Sequence, residues 1–485
     1  MSPLVQLLAA EGLSPDHPAA VEAEAAAQAA SPAIVDPALE DLTRLAFCTI
    51  DEVESRDLDQ AVFVAPDGTG HRLWYALADA AHYVRPGTAL WNEALRRGTS
   101  FYLPGLVAPM LPRVLSEDVV SLLPQVDRRA LVFELALDAN GRCTATTVHR
   151  ARVRSRAKLD FGGVQAYFDG AGRIADAAVE ASLQAMAVVG RRRMVLAEER
   201  AVVRYRRREL HVGRLAGDDL RFVAVEDLRR DVERWNEQVS VLCNMEGARL
   251  LAGRGQAIYR VHEPPTVRAT EELVGRIEGI AVEWGLPATW RWRPDAETLA
   301  SYLDRLPENG EKGRISAAIH RQAILSNGEA SFTATPGAHH ALGAEAYGRF
   351  TAPMREIVGI FLHRELLPEG ATDDDSALRD AVIEAGNRAR KVQGRLDRAV
   401  NRLVLDQLLG DALAAGTTLR GTILGVTPAK VHVRLDEPPV DVKVYAEHLA
   451  RHPGPAPRIG AGTSVRVVRR DPQRDRWELA LEPLK

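Results

Sequence analysis

From Gly416 onward the apolar positions fall into five short runs: Leu419–Val426, Lys430–Leu435, Val440–Tyr445, Ser464–Arg470 and Trp477–Leu481. Val431-His-Val-Arg-Leu435 and Val440-Asp-Val-Lys-Val444 alternate with period two, so apolar side chains line one face of each strand and leave the other to solvent. Five half-buried strands with short turns hide that face by closing on themselves, which also removes the exposed sheet edges. The pattern therefore commits residues 416–485 to a small antiparallel β-barrel. The rest of the 485 residues must fold as something else.

Residues 1–40 are Ala-rich. Val5 to Leu13 reads as a short amphipathic helix, and Ser14-Pro15-Asp16 as the cap of a second running to about Ala30. Such a pair is either half of a helix-turn-helix module or a helical extension docked on the main domain; the extension is favoured, because the segment has no Lys or Arg to meet phosphates. Residues 41–400 mix strand and helix. Leu131–Leu137 reads as a strand ending at the turn Asp138-Ala-Asn-Gly141, with a second strand from Cys143 to Val153. Ala177–His211 and Arg229–Leu251 read as long helices, and the first carries Arg191, Arg192, Arg193, Arg204, Arg206, Arg207 and Arg208 as a solvated face. Residues 401–415 are expected to be a helical connector. The fold class is α+β.

No run approaches the length of a membrane helix. Met1–Ala10 has no basic residue and meets Glu11 too early for a signal peptide. Three scattered cysteines, Cys48, Cys143 and Cys243, fit reduced thiols in a cytoplasm. The net charge of −4 is uneven: residues 1–40 hold six acids and no bases, whereas 416–485 hold twelve Lys/Arg against eight Asp/Glu. A basic end on an acidic chain points to one module that handles a polyanion.

The chemistry concentrates in Phe47-Cys-Thr-Ile-Asp51-Glu-Val-Glu-Ser-Arg-Asp57-Leu-Asp59-Gln60-Ala61. An apolar strand runs directly into a loop of carboxylates, which repel one another unless a cation lies between them. Close-set oxygen ligands suit Mg²⁺, or Mn²⁺ in its place.

Thr49-Ile-Asp51-x5-Asp57-x-Asp59 resembles the entry motif of the ribonuclease II (RNB) family of processive 3′→5′ exoribonucleases. Further likenesses follow in that family's order: Leu77-Ala-Asp79-x-x-His82-Tyr83-Val84, Tyr102-Leu-Pro104, Pro109-Met-Leu-Pro112, Leu115-Ser-x-Asp118, Tyr347-Gly-Arg-Phe-Thr351-Ala-Pro353-Met-Arg355 and His363-Arg364. They span about residues 41–400, where the resemblance implies a catalytic domain built on a mixed curved sheet with helices. The last seventy residues resemble the RNA-binding OB-fold domains named after ribosomal protein S-one, with His432 and Tyr445 as base-stacking candidates and Trp477 more often core.

By this resemblance Asp51, Asp57, Asp59 and Gln60 would hold metal. Asp57 and Asp59 would orient water, and Arg355 would bind the scissile phosphate. Tyr102 would stack on the 3′ base, and Asp397 would stand where the family has a Glu. The implied activity is hydrolysis of single-stranded RNA from its 3′ end by two metals, releasing nucleoside 5′-monophosphates. A monomer in the cytoplasm, away from membranes, is expected. The departures also matter. Gln60 replaces an Asp, Glu356 stands where a second base is common, Gly359 stands for an Asp, and residues 1–40 are too few for two cold-shock barrels. The channel entrance is therefore expected to differ, with looser single-strand selection and closer access to structured ends. The alternative is an RNA-binding protein on a ribonuclease scaffold, with weakened or lost catalysis.

Overall fold

Leu131, Val132 and Phe133 are buried on both faces of their strand, which requires a sheet covered on each side. The computed structural model describes residues 2–200, 202–203, 210–214, 220–224, 230–253, 256–367 and 375–484. In it the strands Cys143–Asp160, Phe47–Asp51, Gln60–Asp67, Gly70–Ala78 and Asp127–Leu137 pair in that order, and the last returns to the first. The eighteen-residue strand Cys143–Asp160 closes this ring. Its first part pairs antiparallel with Asp127–Leu137 and its last part parallel with Phe47–Asp51. The helices Ala177–Glu199, Asp231–Leu251 and Ile357–Leu366 contribute to the same core. The α+β class with a mixed curved sheet is as the sequence implied.

Some details differ. The helix expected over Ala177–His211 ends at Glu199, before the β-branched pair Val202-Val203, whose stiff side chains disfavour helix; Leu210–Arg214 instead pairs with Leu220–Ala224. Arg204, Arg206, Arg207 and Arg208 lie outside the described residues. Arg193 is buried rather than solvated, donating through Nη1 to Gly141 O at 3.2 Å. The second N-terminal helix starts at Ala19, not after Asp16, because the carbonyls of Ser14 and Asp16 accept from Arg97 at 2.9 and 2.8 Å.

The first helix, Pro3–Ala10, docks by Leu4 and Leu8 on a cluster that includes Phe101, Leu103, Leu396 and Val400. Glu11 pairs with Arg395 at 2.5 Å. Residues 401–415 are the last turns of one forty-residue helix, Ser376–Ala415, about 60 Å long at 1.5 Å per residue. This rod runs from the ring, where Val382 and Ala385 are buried, to the barrel, where Leu409 and Ala412 are. The helices Val267–Glu283, Leu299–Asp304 and Gly310–Leu325 enclose a separate core around Ile277, Tyr302 and Ile319, which the sequence reading did not set apart.

The barrel strands are Thr418–Val426, Lys430–Leu435, Asp441–Tyr445, Gly462–Asp471 and Arg476–Glu482, all antiparallel neighbours. Val431, Val433, Leu435, Val442 and Val444 are buried inside, as the period-two pattern required. Among the described residues no helix is long and apolar enough to cross a membrane.

Candidate active site

The carboxylate loop leaves the ring at Asp51 and rejoins it at Gln60. Four backbone-directed bonds pin it. Leu58 N donates to Ser121 Oγ (3.0 Å), Ser121 Oγ to Arg56 O (2.6 Å), Leu122 N to Leu58 O (3.0 Å) and Ala78 N to Asp59 O (2.8 Å). Lys158 Nζ donates to the carbonyls of Val53 (2.7 Å) and Ser55 (2.5 Å). Like charges are thus held close by contacts that their own repulsion does not supply.

Asp59 is 1% exposed. Its Oδ1 accepts from Met354 N at 2.9 Å and its Oδ2 from Arg355 Nε at 2.6 Å. Burial pushes its carboxyl up to about 6, against the opposing pull of Arg355 and Met354 N. Asp57 is also raised, first by burial and against Arg355, with Asp51 adding to the rise. Arg355 is held charged, chiefly by Asp59. Its carbonyl accepts from Ser100 N (2.9 Å) and Thr99 Oγ1 (2.8 Å), which seats the arginine beside the strand carrying Tyr102.

Tyr102 is 46% exposed, with its hydroxyl 3.5 Å from Asp57 Oδ2. Gln393 of the long helix clamps its backbone, accepting from Tyr102 N (3.2 Å) and donating to Tyr102 O (3.1 Å). The same amide donates to Asp397 at 2.7 Å. Tyr102, Asp397, Val212 and Asn401 line a cavity of about 470 Å³. Gly98, at φ 77°, makes the close turn into this segment; a Cβ there would lie 2.6 Å from Ala385 O, so only glycine fits.

The structure thus brings Asp57, Asp59, Tyr102 and Arg355 together, with Asp397 one helical turn beyond Gln393. The other two candidates are held by bonds of their own. Asp51 Oδ1 accepts from Glu52 N (2.8 Å) and Ser55 Oγ (2.9 Å). The Gln60 oxygen accepts from the buried Tyr75 hydroxyl and from Ser240 Oγ (2.9 Å). Among the described residues no three His, Cys, Asp or Glu are gathered as a metal cage. Mg²⁺ usually takes one or two carboxylates and completes its shell with water and phosphate oxygens. The half-buried Asp57 and the buried Asp59, both raised, fit that pattern.

In the barrel, His432 lies opposite Lys443, with its pKa lowered by burial and then by Arg321, Lys430 and Lys443. The Tyr445 ring is covered by the Arg476 guanidinium at 4.2 Å. Trp477 Nε1 donates to Asp406 of the long helix at 2.7 Å, so this ring packs against the helix.

Several residues the sequence reading passed over build the site. Asn244 is fully buried in the helix Asp231–Leu251. Its amide donates to Tyr347 OH and Thr351 Oγ1, both at 3.0 Å, and accepts from Phe350 N at 2.7 Å, fixing the turn that delivers Arg355. A lone Asn on the apolar stripe of Val239, Leu242 and Cys243 was its signal. Glu356 answers Arg349 at 2.8 Å. Arg260 and Arg390 stand near Arg349 and Arg355, and nothing in their sequence context marks them.

Residues 39–367 match the family model described as the RNB domain. That is more than half of the chain, and the chain belongs to the RNB family. Ribonuclease R of Vibrio cholerae is 30% identical over 429 residues, covering 84% of this chain and 51% of its own length. Exoribonuclease 2 of Cronobacter sakazakii is 30% identical over 408 residues, covering 82% and 61%. The chain spans about half the length of the first of these relatives. Among solved structures, Mycoplasma genitalium RNase R in complex with ribose-methylated single-stranded RNA shares the fold with a TM-score of 0.86, at 22% identity over 99% of this chain and 77% of that one.

Proposed function

We propose that this chain is a metal-dependent, processive 3′→5′ exoribonuclease that releases nucleoside 5′-monophosphates from single-stranded RNA. The observation that carries the reading is the buried Asp59–Arg355 pair beside the exposed, backbone-clamped ring of Tyr102. Tyr102 offers a face on which the 3′-terminal base stacks. Arg355 is permanently charged and planar, so it can leave Asp59 for the scissile phosphate and stabilise charge there in the transition state. Asp57 and Asp59, released from that competition, would hold Mg²⁺, or Mn²⁺ in its place. When bound, the metal supplies charge neutralisation and an acidified water. Asp397 offers an acceptor to ribose hydroxyls from the cavity wall. His432 and Tyr445 would contact the strand farther upstream, and a single chain carries the whole site. Activity, substrate and partners are taken from relatives about twice as long, and the Asp59–Arg355–Tyr102 geometry is the support for them in this chain.

A second reading, RNA binding with weakened catalysis, is favoured by one observation: the Gln60 oxygen is already taken by two hydroxyls, so a second metal would lack that ligand. Digestion of uniformly labelled single-stranded RNA with Mg²⁺ separates the two. Nucleoside 5′-monophosphates accumulating from the first time point, and stopped by chelator, support the nuclease. Intact RNA with a tight gel shift supports the second reading.

A further inference from the structure

Tyr102 also lines a second cavity, of about 330 Å³, whose wall includes Arg260, Arg349, Arg355, Arg390, Glu356 and Phe332. Two of its four guanidiniums are answered: Arg349 by Glu356 at 2.8 Å and Arg355 by Asp59 at 2.6 Å. The other two have no carboxylate within ion-pair distance among the described residues. Arg390 donates to the carbonyl of Ala330. Arg260 stands over the Phe332 ring at 6.0 Å, with its Nε buried and unpartnered. Burial, then Arg390 and Arg349, lower Arg260 to about 10, so the cations press on one another. The volume falls at the small-ligand end of the usual range, roughly 300–1,000 Å³, and is too small for a strand.

We infer that this arginine-walled cavity binds the phosphate monoester of the released nucleotide, and so acts as a product site. The inference rests on the nuclease reading above. Hydrolysis turns a phosphodiester carrying one negative charge into a monoester, which carries about −1.5 to −2 near neutral pH. The added charge appears at Arg355, and the two unanswered cations next to it, Arg260 and Arg390, are what a dianion would seek. Arg355 is shared between the reacting position and this cavity, so it offers a path by which the cleaved phosphate leaves the carboxylates that repel it.

The test is calorimetric titration of the full chain with adenosine 5′-monophosphate, adenosine and the diester ApA. Adenosine 5′-monophosphate should bind, adenosine should not, and ApA should bind more weakly. Arg260→Gln and Arg390→Gln should each weaken the monophosphate by about tenfold or more, as expected for loss of a charge-assisted hydrogen bond. Arg390→Lys should restore part of that loss, and unchanged melting would show that the variants fold. In RNA digestion, added monophosphate should inhibit the wild type more than either Gln variant. ApA binding as tightly as the monophosphate would assign the cavity to the strand and overturn the inference. So would monophosphate affinity that neither Gln substitution alters. The titration needs no cleavage, so an active nuclease that fails it loses only this site. A chain that binds the monophosphate but leaves RNA intact loses the nuclease reading instead.

Discussion

Asp59 pairs with Arg355 while its carboxyl is pushed up to about 6, so protons, the arginine and any metal compete for the same oxygens. Because the folded pKa is raised, this group's contribution to stability is fullest at acid pH and is lost as pH rises through about 6. Activity has the opposite sign, since only the ionised carboxylate can hold a cation. The rate should therefore climb with pH up to an inflection near 6 and then level, and saturating Mg²⁺ should move that inflection to lower pH. A profile flat across this region, or an inflection indifferent to metal, would contradict the role of Asp59. Gln60 gives a second test. Gln60 opens the strand Gln60–Asp67, and its side-chain oxygen is already taken by Tyr75 and Ser240. Gln60→Asp should accordingly leave the half-saturating Mg²⁺ concentration unchanged, and a clear fall would restore Gln60 as a ligand. The motif made Asp59, Tyr102 and Arg355 legible because their neighbours are fixed by spacing. At Gln60 the motif gives a position but not the two hydroxyls that the side-chain oxygen meets.

The elements that deliver the site are less visible in sequence than the site itself. Arg355 is aimed by a turn held on Asn244, over 100 residues away in the chain. Asn244→Ala leaves the Tyr347 and Thr351 hydroxyls and the Phe350 N–H without that partner, at a cost of about 1–3 kcal/mol per orphaned group. Chemical denaturation should show lost stability of at least that size. Folded enzyme at low temperature should lose rate as well, because Arg355 is no longer fixed. Stability equal to the wild type would mean the amide is not the anchor. Local pattern found the strands Leu131–Leu137 and Cys143 onward because alternation and the Asp138–Gly141 turn are contiguous signals. It overran the helix after Glu199, where charge and β-branching compete and tertiary pairing decides.

At the scale of the molecule, the forty-residue helix is a rod that ties the ring to the barrel, and the first N-terminal helix packs against the strand that carries Tyr102. The barrel's five strands were legible almost to the residue, but its charge was not. Arg466, Arg469, Arg470, Arg474 and Arg476 are each paired with Glu482, Glu478, Asp475 or Glu447, so these five cations are already answered within the barrel. Lys430 and Lys443, which face the His432 and Tyr445 surface, have no ion pair among the described residues. Replacing both by Gln should weaken RNA affinity and flatten its dependence on salt by about 1.4 in log–log slope, at roughly 0.7 per phosphate contact on a single strand. Arg466→Gln should leave that slope unchanged. Whether Asp59 and Arg355 cut RNA from its 3′ end is read from a time course on 5′-labelled single-stranded RNA with Mg²⁺. Wild-type protein should convert full-length RNA to a short 5′-labelled end product with few intermediates, and Asp59→Asn should leave the RNA intact and still bound. The same loss of full-length RNA with Asp59→Asn, or wild-type protein that binds the RNA and leaves it whole, would contradict this assignment.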